Sequence, residues 1–172
     1  MNNIRPISVV IPAKNFFDSF KKTFESLLSQ SILPNEIVVV DSSDNNEIKN
    51  YLDKINIKNI NIKNIKVAKA FPGEARNKGL LNTSNKILAI LDSKTKPSKN
   101  WLKNGINMLE KNDVVFGTTK YLTRTKFQKL IRSATHGKFP IEPPPGTIFK
   151  KKIIDDKYFF ISNVRTADDF EW

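Results

Sequence analysis

The sequence predicts an α/β protein built on a mostly parallel central sheet that is flanked by helices. Continuous apolar runs rich in β-branched residues, such as Ile7–Pro12 and Glu36–Asp41, are typical of strands buried on both faces. Between these runs the spacing becomes helical, and Phe20, Phe24 and Leu27 fall on one helix face. Strands that alternate with helices in this way form right-handed βαβ units, so the sheet is expected to be mostly parallel and covered on both faces.

The alternation of strands and helices is regular up to about residue 120. The predicted strands are Ile7–Pro12, Glu36–Asp41, Asn61–Ala68, Lys86–Asp92 and Asp113–Tyr121. Helices are predicted between them, over residues 18–30, 45–55, 73–83 and 98–111. Asp18 or Ser19 is expected to cap the first helix, and Asn45 or Asn46 to lie near the start of the second.

The pattern weakens beyond residue 120. A helix is predicted over Thr123–Ser133, followed by a proline-rich loop at His136–Gly146 that cannot continue regular structure. A short strand, Thr147–Lys151, and a helical turn, Lys152–Asp156, come next. A chain of 172 residues can bury one sizeable core, so a single domain is expected over residues 1–172. Because the sequence stops at an acidic cluster that resembles a helix start, we expect the domain to be truncated at its C-terminus.

Composition excludes several classes of protein. The chain has no cysteine and a single histidine, which excludes disulfides, thiolate metal sites and multi-histidine metal sites within it. It also has no apolar run long enough for a signal peptide or a spanning helix. The formal net charge of +12 would attract phosphates or an anionic membrane. The Asn/Ile/Lys-biased stretch "INIKNINIKNIKV" carries three of the 29 Lys and Arg residues and lacks interleaved aromatics, so nucleic acid is not the expected partner.

Polar residues follow the predicted strands at the edge where parallel α/β sheets bind ligands. Asp41 ends the second strand, and Asp92 ends the fourth. Arg76 and Asn77 lie just inside the third helix, where they are suited to hold a nucleotide or its phosphates. Two of these residues have a structural alternative, namely a turn or cap for Asp41 and an ion pair with Glu74 for Arg76. Phosphate-loop patterns of the GxGxxG or GxxxxGK[ST] type are absent from the sequence.

Two adjacent carboxylates lie close to the end of the chain, in "ADDFEW". Asp168 and Asp169 can raise one another's pKa toward the range of a general base. The alternative is a helix N-terminus, where acidic side chains are favoured by the macrodipole. The residues alone do not decide between these two interpretations.

Six segments, taken in order, resemble the landmarks of family 2 glycosyltransferases: "ISVVIPAKN", "LSQSILPNEIVVVDSSDN", "GEARNKGL", "ILAILDSKTKPSKNWL", "GTIFKK" and "RTADDFEW". The resemblance spans Ile7 to Trp172. It implies the GT-A fold of nucleotide-diphospho-sugar transferases, with residues 1–120 binding the nucleotide sugar and residues 121–172 on the acceptor side. It also implies an inverting transferase that moves a sugar from a nucleoside-diphosphate donor to a glycan, lipid-linked or polysaccharide acceptor.

The resemblance assigns roles to individual residues. The residues implied to bind the nucleotide sugar are Pro12, Ala13, Asn15, Asp41, Arg76, Asn77, Asp92, Ser93 and Lys94. Asp169 is the implied catalytic base, with Asp168 orienting it or capping a helix. His136 lies in the loop that faces the acceptor, where it is a candidate acceptor contact, although a loop residue without a role is the alternative.

Lys94 departs from the pattern of the family. The resemblance implies an Asp-x-Asp pair in which Asp92 contacts ribose or metal and a second carboxylate, at position 94, coordinates Mn²⁺ or Mg²⁺. A lysine ammonium cannot ligate a cation and opposes the binding of one nearby. Three interpretations remain: Lys94 neutralises the diphosphate itself, Asp92 still holds a metal with water and phosphate oxygens, or the domain is catalytically degenerate and only binds a nucleotide sugar or glycan.

The expected location is the cytoplasm, including the inner face of the cell membrane as a peripheral protein. It follows from the resemblance, the lack of cysteine and the basic character of the chain. These motifs do not identify the donor sugar, the acceptor or the oligomeric state.

Overall fold

A computed structural model describes residues 6–120, 122–135, 144–155 and 159–164. The strands in these ranges are β1 Ile7–Ala13, β2 Glu36–Asp41, β3 Asn61–Lys66, β4 Ile87–Ile90, β5 Val114–Val115 and β6 Ile148–Lys150. The helices are α1 Phe17–Leu28, α2 Glu47–Leu52, α3 Pro72–Leu81, α4 Trp101–Met108, α5 Lys126–Thr135 and α6 Lys152–Asp155.

The described strands form one sheet in the order β3-β2-β1-β4-β6-β5. The pairs β1–β2, β1–β4 and β2–β3 are parallel, so the prediction of a mostly parallel sheet is confirmed. Strand β6 runs antiparallel between β4 and β5. Strand β5 pairs with β6 only at Val114 and Val115, so the prediction of a strand over Asp113–Tyr121 was too long.

Helices cover both faces of the sheet, as predicted. On one face, alternate β1 residues such as Val9 and Ile11 pack with buried side chains of α1, α2 and α4. On the other, Val10 and Leu88 pack with Leu80 of α3. Because every residue of β1, β2 and β4 except Pro12 is buried, the core holds the carboxyl ends of these strands in fixed relative positions.

Helix α1 begins differently from the prediction. Its N-cap position is Phe16, and its first helical residue is Phe17, so the expectation that Asp18 or Ser19 caps the helix was wrong. Asn15 and Phe16 have φ angles of 54° and 51°, and this left-handed pair turns the chain from β1 into the helix. Asp18 lies in the first turn, where a carboxylate still favours the helix dipole. Helix α2 follows the prediction, with Asn46 at its N-cap position.

Glu36, at the amino end of β2, is a buried carboxylate that ties three segments together. Its oxygens accept hydrogen bonds from the Ser8 hydroxyl and from the Ser84 amide and hydroxyl, and they lie 2.7 Å from the Lys63 ammonium. Burial would raise the pKa of Glu36, but the bonds from Lys63, Ser8 and Ser84 outweigh it and lower the pKa below the usual 4.5. This cluster lies at the edge of the sheet opposite the carboxyl ends of the strands. Its role is therefore structural.

The ionised form of Glu36 is expected to stabilise the fold in a pH-dependent way. Because its folded pKa is depressed, its contribution is fully present above the pKa of the unfolded chain and is lost as the pH falls through the folded pKa. Glu36→Gln should lower the free energy of unfolding at neutral pH by about 1–3 kcal/mol and flatten its dependence on pH below about 4.5. Urea unfolding across this pH range measures both effects. The exposed control Glu110→Gln should leave them unchanged, and an equal response of the two variants would contradict the assignment.

None of the helices in the described ranges is both long and apolar enough to cross a membrane.

Candidate functional site

An open cleft of about 290 Å³ lies at the carboxyl edge of the sheet. It is bounded by the segments that follow β1, β2 and β4 and by the first turn of α3. The lining residues are Pro12, Ala13, Lys14, Ser42, Ala70, Phe71, Pro72, Ala75, Arg76, Asp92, Ser93 and Lys94. The cleft therefore lies where an open parallel sheet is expected to bind a ligand.

The loops after β1 and β2 are bonded to each other along one side of the cleft. Asn15 donates its backbone N–H to the Ser43 hydroxyl at 2.7 Å. The Asn15 side chain and Asp44 exchange two further hydrogen bonds, each 3.1 Å long. Asn15 is thus engaged in holding the loop rather than in lining the cleft, and it places Phe16, whose side chain is 65% exposed, at the cleft margin.

Asp41 is fully buried behind the cleft, and its carboxylate is paired within the protein. One oxygen accepts the Ser43 N–H at 2.9 Å, and the other lies 3.0 Å from the Lys66 ammonium. Lys66 also donates to the Ser43 carbonyl at 2.8 Å. Because it is buried, Asp41 has no exposed surface with which to contact a nucleotide base. It instead fixes the loop that contains Ser42, and Ser42 lines the cleft.

Removing Lys66 is expected to cost more stability than removing an ordinary surface lysine. Lys66→Met leaves the buried Asp41 carboxylate without its cation and should lower the free energy of unfolding by about 1–3 kcal/mol. This loss is smaller than that expected for a fully buried ion pair, because the Lys66 side chain is 38% exposed. Lys49→Met is the control, since Lys49 and Asp53 are both more than half exposed, and it should cost less than about 0.5 kcal/mol. Chemical denaturation compares the two variants, and similar losses would show that the Asp41–Lys66 pair has no special weight.

Helix α3 brings Arg76 to the floor of the cleft. The Arg76 guanidinium donates to the Asp92 carboxylate at 3.1 Å and lies 5.4 Å from the centre of the Phe160 ring. The arginine is 6% exposed, whereas the Asp92 side chain is 37% exposed. Helix α3 is held in place at Gly79, where a Cβ atom would lie 2.3 Å from Val10 Cγ1, so the helix can approach β1 closely only with glycine there.

Asn77 lies beside Arg76 on α3 and binds the protein backbone. Its side-chain amide donates to the Phe160 carbonyl at 2.8 Å, and its amide oxygen accepts the Phe160 N–H at 2.9 Å. This two-way contact fastens the segment 159–164 to the helix that borders the cleft. Asn77 itself does not line the cleft, so it acts as a positioning residue in this structure.

Lys94 follows β4, and its ammonium lies across the cleft margin. The nitrogen is 3.7 Å from the centre of the Phe16 ring, which comes from the loop after β1. A cation over the face of an aromatic ring is attracted by the ring's quadrupole. The contact therefore holds a positive charge where the ends of β1 and β4 meet.

The cleft lining is cationic. Among the described residues that line the cleft, three are cations, Lys14, Arg76 and Lys94, and one is a carboxylate, Asp92. This donor set does not suit Mg²⁺ or Mn²⁺, which need several oxygen ligands, because the one carboxylate is paired with a guanidinium and Lys94 is two residues away. Among the described residues, no three His, Cys, Asp or Glu side chains are grouped so that they could hold a metal.

The structure brings six of the predicted nucleotide-sugar residues together on the cleft: Pro12, Ala13, Arg76, Asp92, Ser93 and Lys94. The other three support it from behind: Asn15, Asp41 and Asn77. Asp168, Asp169 and His136 lie outside the described residues. Two charged residues of this region were not predicted, namely Lys14 in the cleft lining and Lys66 behind it. Lys14 had a signal, since it directly follows β1 within "PAKN", whereas Lys66 is 25 residues from its partner Asp41.

Comparison with known proteins finds similarity over most of the chain. A family model described as "Glycosyl transferase family 2" matches residues 8–165. Proteins of Rickettsia bellii and Rickettsia felis, each described as an uncharacterized glycosyltransferase, are 26% and 27% identical over 175 residues. These alignments cover 95% of this chain but only 25% and 29% of the relatives, so the chain spans about a quarter of their length.

Two solved structures with a similar fold are described in complex with nucleotide sugars. S. aureus TarS 1–349 in complex with UDP-GlcNAc has a TM-score of 0.70 and 19% identity, covering 95% of this chain and 51% of that one. A mannosyltransferase of Pyrobaculum calidifontis in complex with GDP-Man and Mn²⁺ has a TM-score of 0.66 and 19% identity, covering 96% of this chain and 50% of that one. At this identity the likeness shows the fold, which is GT-A.

Proposed function

The chain belongs to glycosyltransferase family 2, and we propose that it transfers a sugar, with inversion, from a nucleoside-diphosphate sugar to a glycan, lipid-linked or polysaccharide acceptor. The observation that carries the proposal is the cationic cleft at the carboxyl ends of β1, β2 and β4. TarS and the Pyrobaculum mannosyltransferase are described with UDP-GlcNAc and GDP-Man, which supports a donor of the same chemical class here.

The donor diphosphate would lie near Arg76 and Lys94. A diphosphate presents several anionic oxygens, and guanidinium and ammonium groups are the usual protein donors to such oxygens. Lys14 adds a third cation from the end of β1. Pro12, Ala13 and Ser42, on the same side of the cleft, would flank the base, with Asp41 and Lys66 holding that side in place.

Lys94 would neutralise the leaving diphosphate, which is the role that the family resemblance implies for a divalent cation. As the bond to the sugar breaks, negative charge develops on the departing diphosphate, and a fixed cation nearby lowers the energy of that transition state. Two observations support this role for Lys94: its ammonium lies at the cleft, and Phe16 holds it there. The donor set does not favour a metal, so no step of the proposed reaction depends on one.

The acceptor hydroxyl would be deprotonated by Asp169, with Asp168 orienting it, and His136 would contact the acceptor. The hydroxyl oxygen then attacks the anomeric carbon from the side opposite the diphosphate, which inverts the configuration. Asn77 and Arg76 hold Phe160 beside the cleft, and the two carboxylates follow Phe160 by eight and nine positions in the sequence.

The second candidate function is that of a non-catalytic domain that binds a nucleotide sugar or glycan. It is favoured by Lys94, which occupies the position at which the family resemblance implies a metal-binding carboxylate. The cleft serves either function equally well, so only turnover separates them.

A turnover measurement tests the proposal. The chain is incubated with UDP-GlcNAc or GDP-mannose and a mixture of glycan and lipid-linked acceptors, and release of the nucleoside diphosphate is followed. Acceptor-dependent release that is lost in Asp169→Asn is the expected result. Donor binding without any release would favour the non-catalytic domain, and neither binding nor release would contradict a transferase that uses UDP-GlcNAc or GDP-mannose.

A further inference from the structure

Helix α5, Lys126–Thr135, exposes apolar side chains to solvent. Phe127 and Leu130 are separated by three positions and so lie on one face of the helix, where they are 69% and 67% exposed. Leu122, just before the helix, is 80% exposed. Apolar side chains of this size, gathered on one short segment, are typical of a surface that is covered by a partner.

The part of the sequence that contains α5 is basic. From Val114 to Ile141 the sequence contains six Lys or Arg residues and no Asp or Glu. Lys126 and Lys129 are exposed on α5 itself, and Lys126 lies one turn before Leu130, so it borders the apolar face. Cations next to an exposed apolar face complement a surface that is both apolar and anionic.

Local hydrogen bonds hold the start of α5. The Thr125 hydroxyl accepts the Gln128 N–H at 3.1 Å, and the Gln128 side chain in turn accepts the Thr125 N–H at 3.2 Å and the Arg124 N–H at 2.7 Å. This is a capping box, in which side chains satisfy the free N–H groups of the first turn. The helix is therefore preorganised at its N-terminus while Phe127 and Leu130 remain exposed.

We propose that α5 docks the protein on an anionic lipid surface, with Phe127 and Leu130 inserted among the acyl chains and Lys126 and Lys129 next to the lipid headgroups. An amphipathic basic helix binds such a surface by burying its apolar face and by attraction to anionic lipids. With ten residues, α5 is too short to span a bilayer, so it would lie on the lipid surface. The assignment is independent of the proposed transfer reaction.

Vesicle flotation tests the assignment with the full 172-residue chain. Vesicles of phosphatidylcholine alone are compared with vesicles containing about 30% phosphatidylglycerol, a content that gives the bilayer a negative surface potential. The chain should bind the anionic vesicles at least roughly tenfold more tightly, and added salt should weaken the binding because it screens the charges.

Matched variants separate the helix from the general positive charge of the chain. Phe127→Gln with Leu130→Gln should weaken binding about tenfold or more, because two apolar side chains no longer enter the bilayer. The control pair Leu81→Gln and Met108→Gln removes apolar side chains that are 63% and 55% exposed on other helices. That control should bind as the unaltered chain does.

A second pair of variants tests the role of charge. Lys126→Gln with Lys129→Gln should weaken binding by roughly tenfold, whereas Lys54→Gln with Lys58→Gln, at exposed positions elsewhere, should have a much smaller effect. Equal effects of variant and control pairs, or equal binding to neutral and anionic vesicles, would overturn the proposal. So would a dimer in sedimentation velocity that is lost in the Phe127/Leu130 variant, because the face would then belong to a second copy of the chain.

Discussion

Asp169→Asn is expected to reduce transfer by about 10²–10⁴-fold, the usual contribution of a general base, while donor affinity stays nearly unchanged. Asparagine has the size and shape of aspartate, but its amide cannot accept the proton of the acceptor hydroxyl. The loss should therefore appear in kcat and not in the dissociation constant of the nucleotide. Steady-state kinetics together with calorimetric titration of the nucleotide measures the two quantities separately.

The neighbouring carboxylate provides the control for Asp169. Asp168→Asn should have a smaller effect, since the orienting residue supports the base without taking the proton. Retained turnover in Asp169→Asn would show that another group is the base. Equal loss in both variants, with nucleotide binding intact, would indicate that the two carboxylates act as one unit, as adjacent titrating groups can.

Lys94→Ala is expected to lower kcat by about a hundredfold, which corresponds to about 3 kcal/mol of lost transition-state stabilisation. The ammonium lies 3.7 Å from the centre of the Phe16 ring at the cleft margin. The charge that it presents is therefore largely in place before the donor binds. Removing it would also weaken binding of the nucleoside diphosphate, because the ground state already carries the negative charge.

Lys96 supplies a matched control for Lys94. Lys96 is an exposed lysine two residues further along that does not line the cleft, so Lys96→Ala should leave kcat and nucleotide affinity within about twofold of the unaltered values. Lys94→Asp should make nucleotide binding dependent on Mn²⁺, since it adds a carboxylate beside Asp92. An absence of change in both Lys94 variants would make this lysine incidental to the site.

The strands that form the cleft were predictable because they are buried on both faces. A strand that is buried on both faces is encoded by a continuous run of apolar, β-branched residues. For β2 the predicted bounds, Glu36–Asp41, are those of the structure. The start of α1 was less predictable, because it depends on left-handed conformations at Asn15 and Phe16. Neither residue is glycine, so the sequence lacks the usual signal for such a turn.

Contacts between distant segments account for the remaining differences. Lys66 binds Asp41 because β2 and β3 are parallel and in a register that pairs these two residues. In the sequence, Lys66 is one of several similar lysines in an Asn/Ile/Lys-biased stretch. Likewise, β6 is a strand of three residues, and nothing local shows that it inserts antiparallel between β4 and β5. The site residues at strand ends could be predicted, whereas the partners that support them could not.

Calorimetric titration of the chain with UDP, GDP and dTDP, each in EDTA and in Mn²⁺, examines the nucleotide site most directly. If Arg76 and Lys94 hold the diphosphate, one nucleotide should bind in EDTA, and Lys94→Ala should weaken that binding while Lys96→Ala does not. Binding only in the presence of Mn²⁺ would contradict the role given to Lys94. Failure of every nucleotide to bind under both conditions would contradict a nucleotide-sugar site in this cleft.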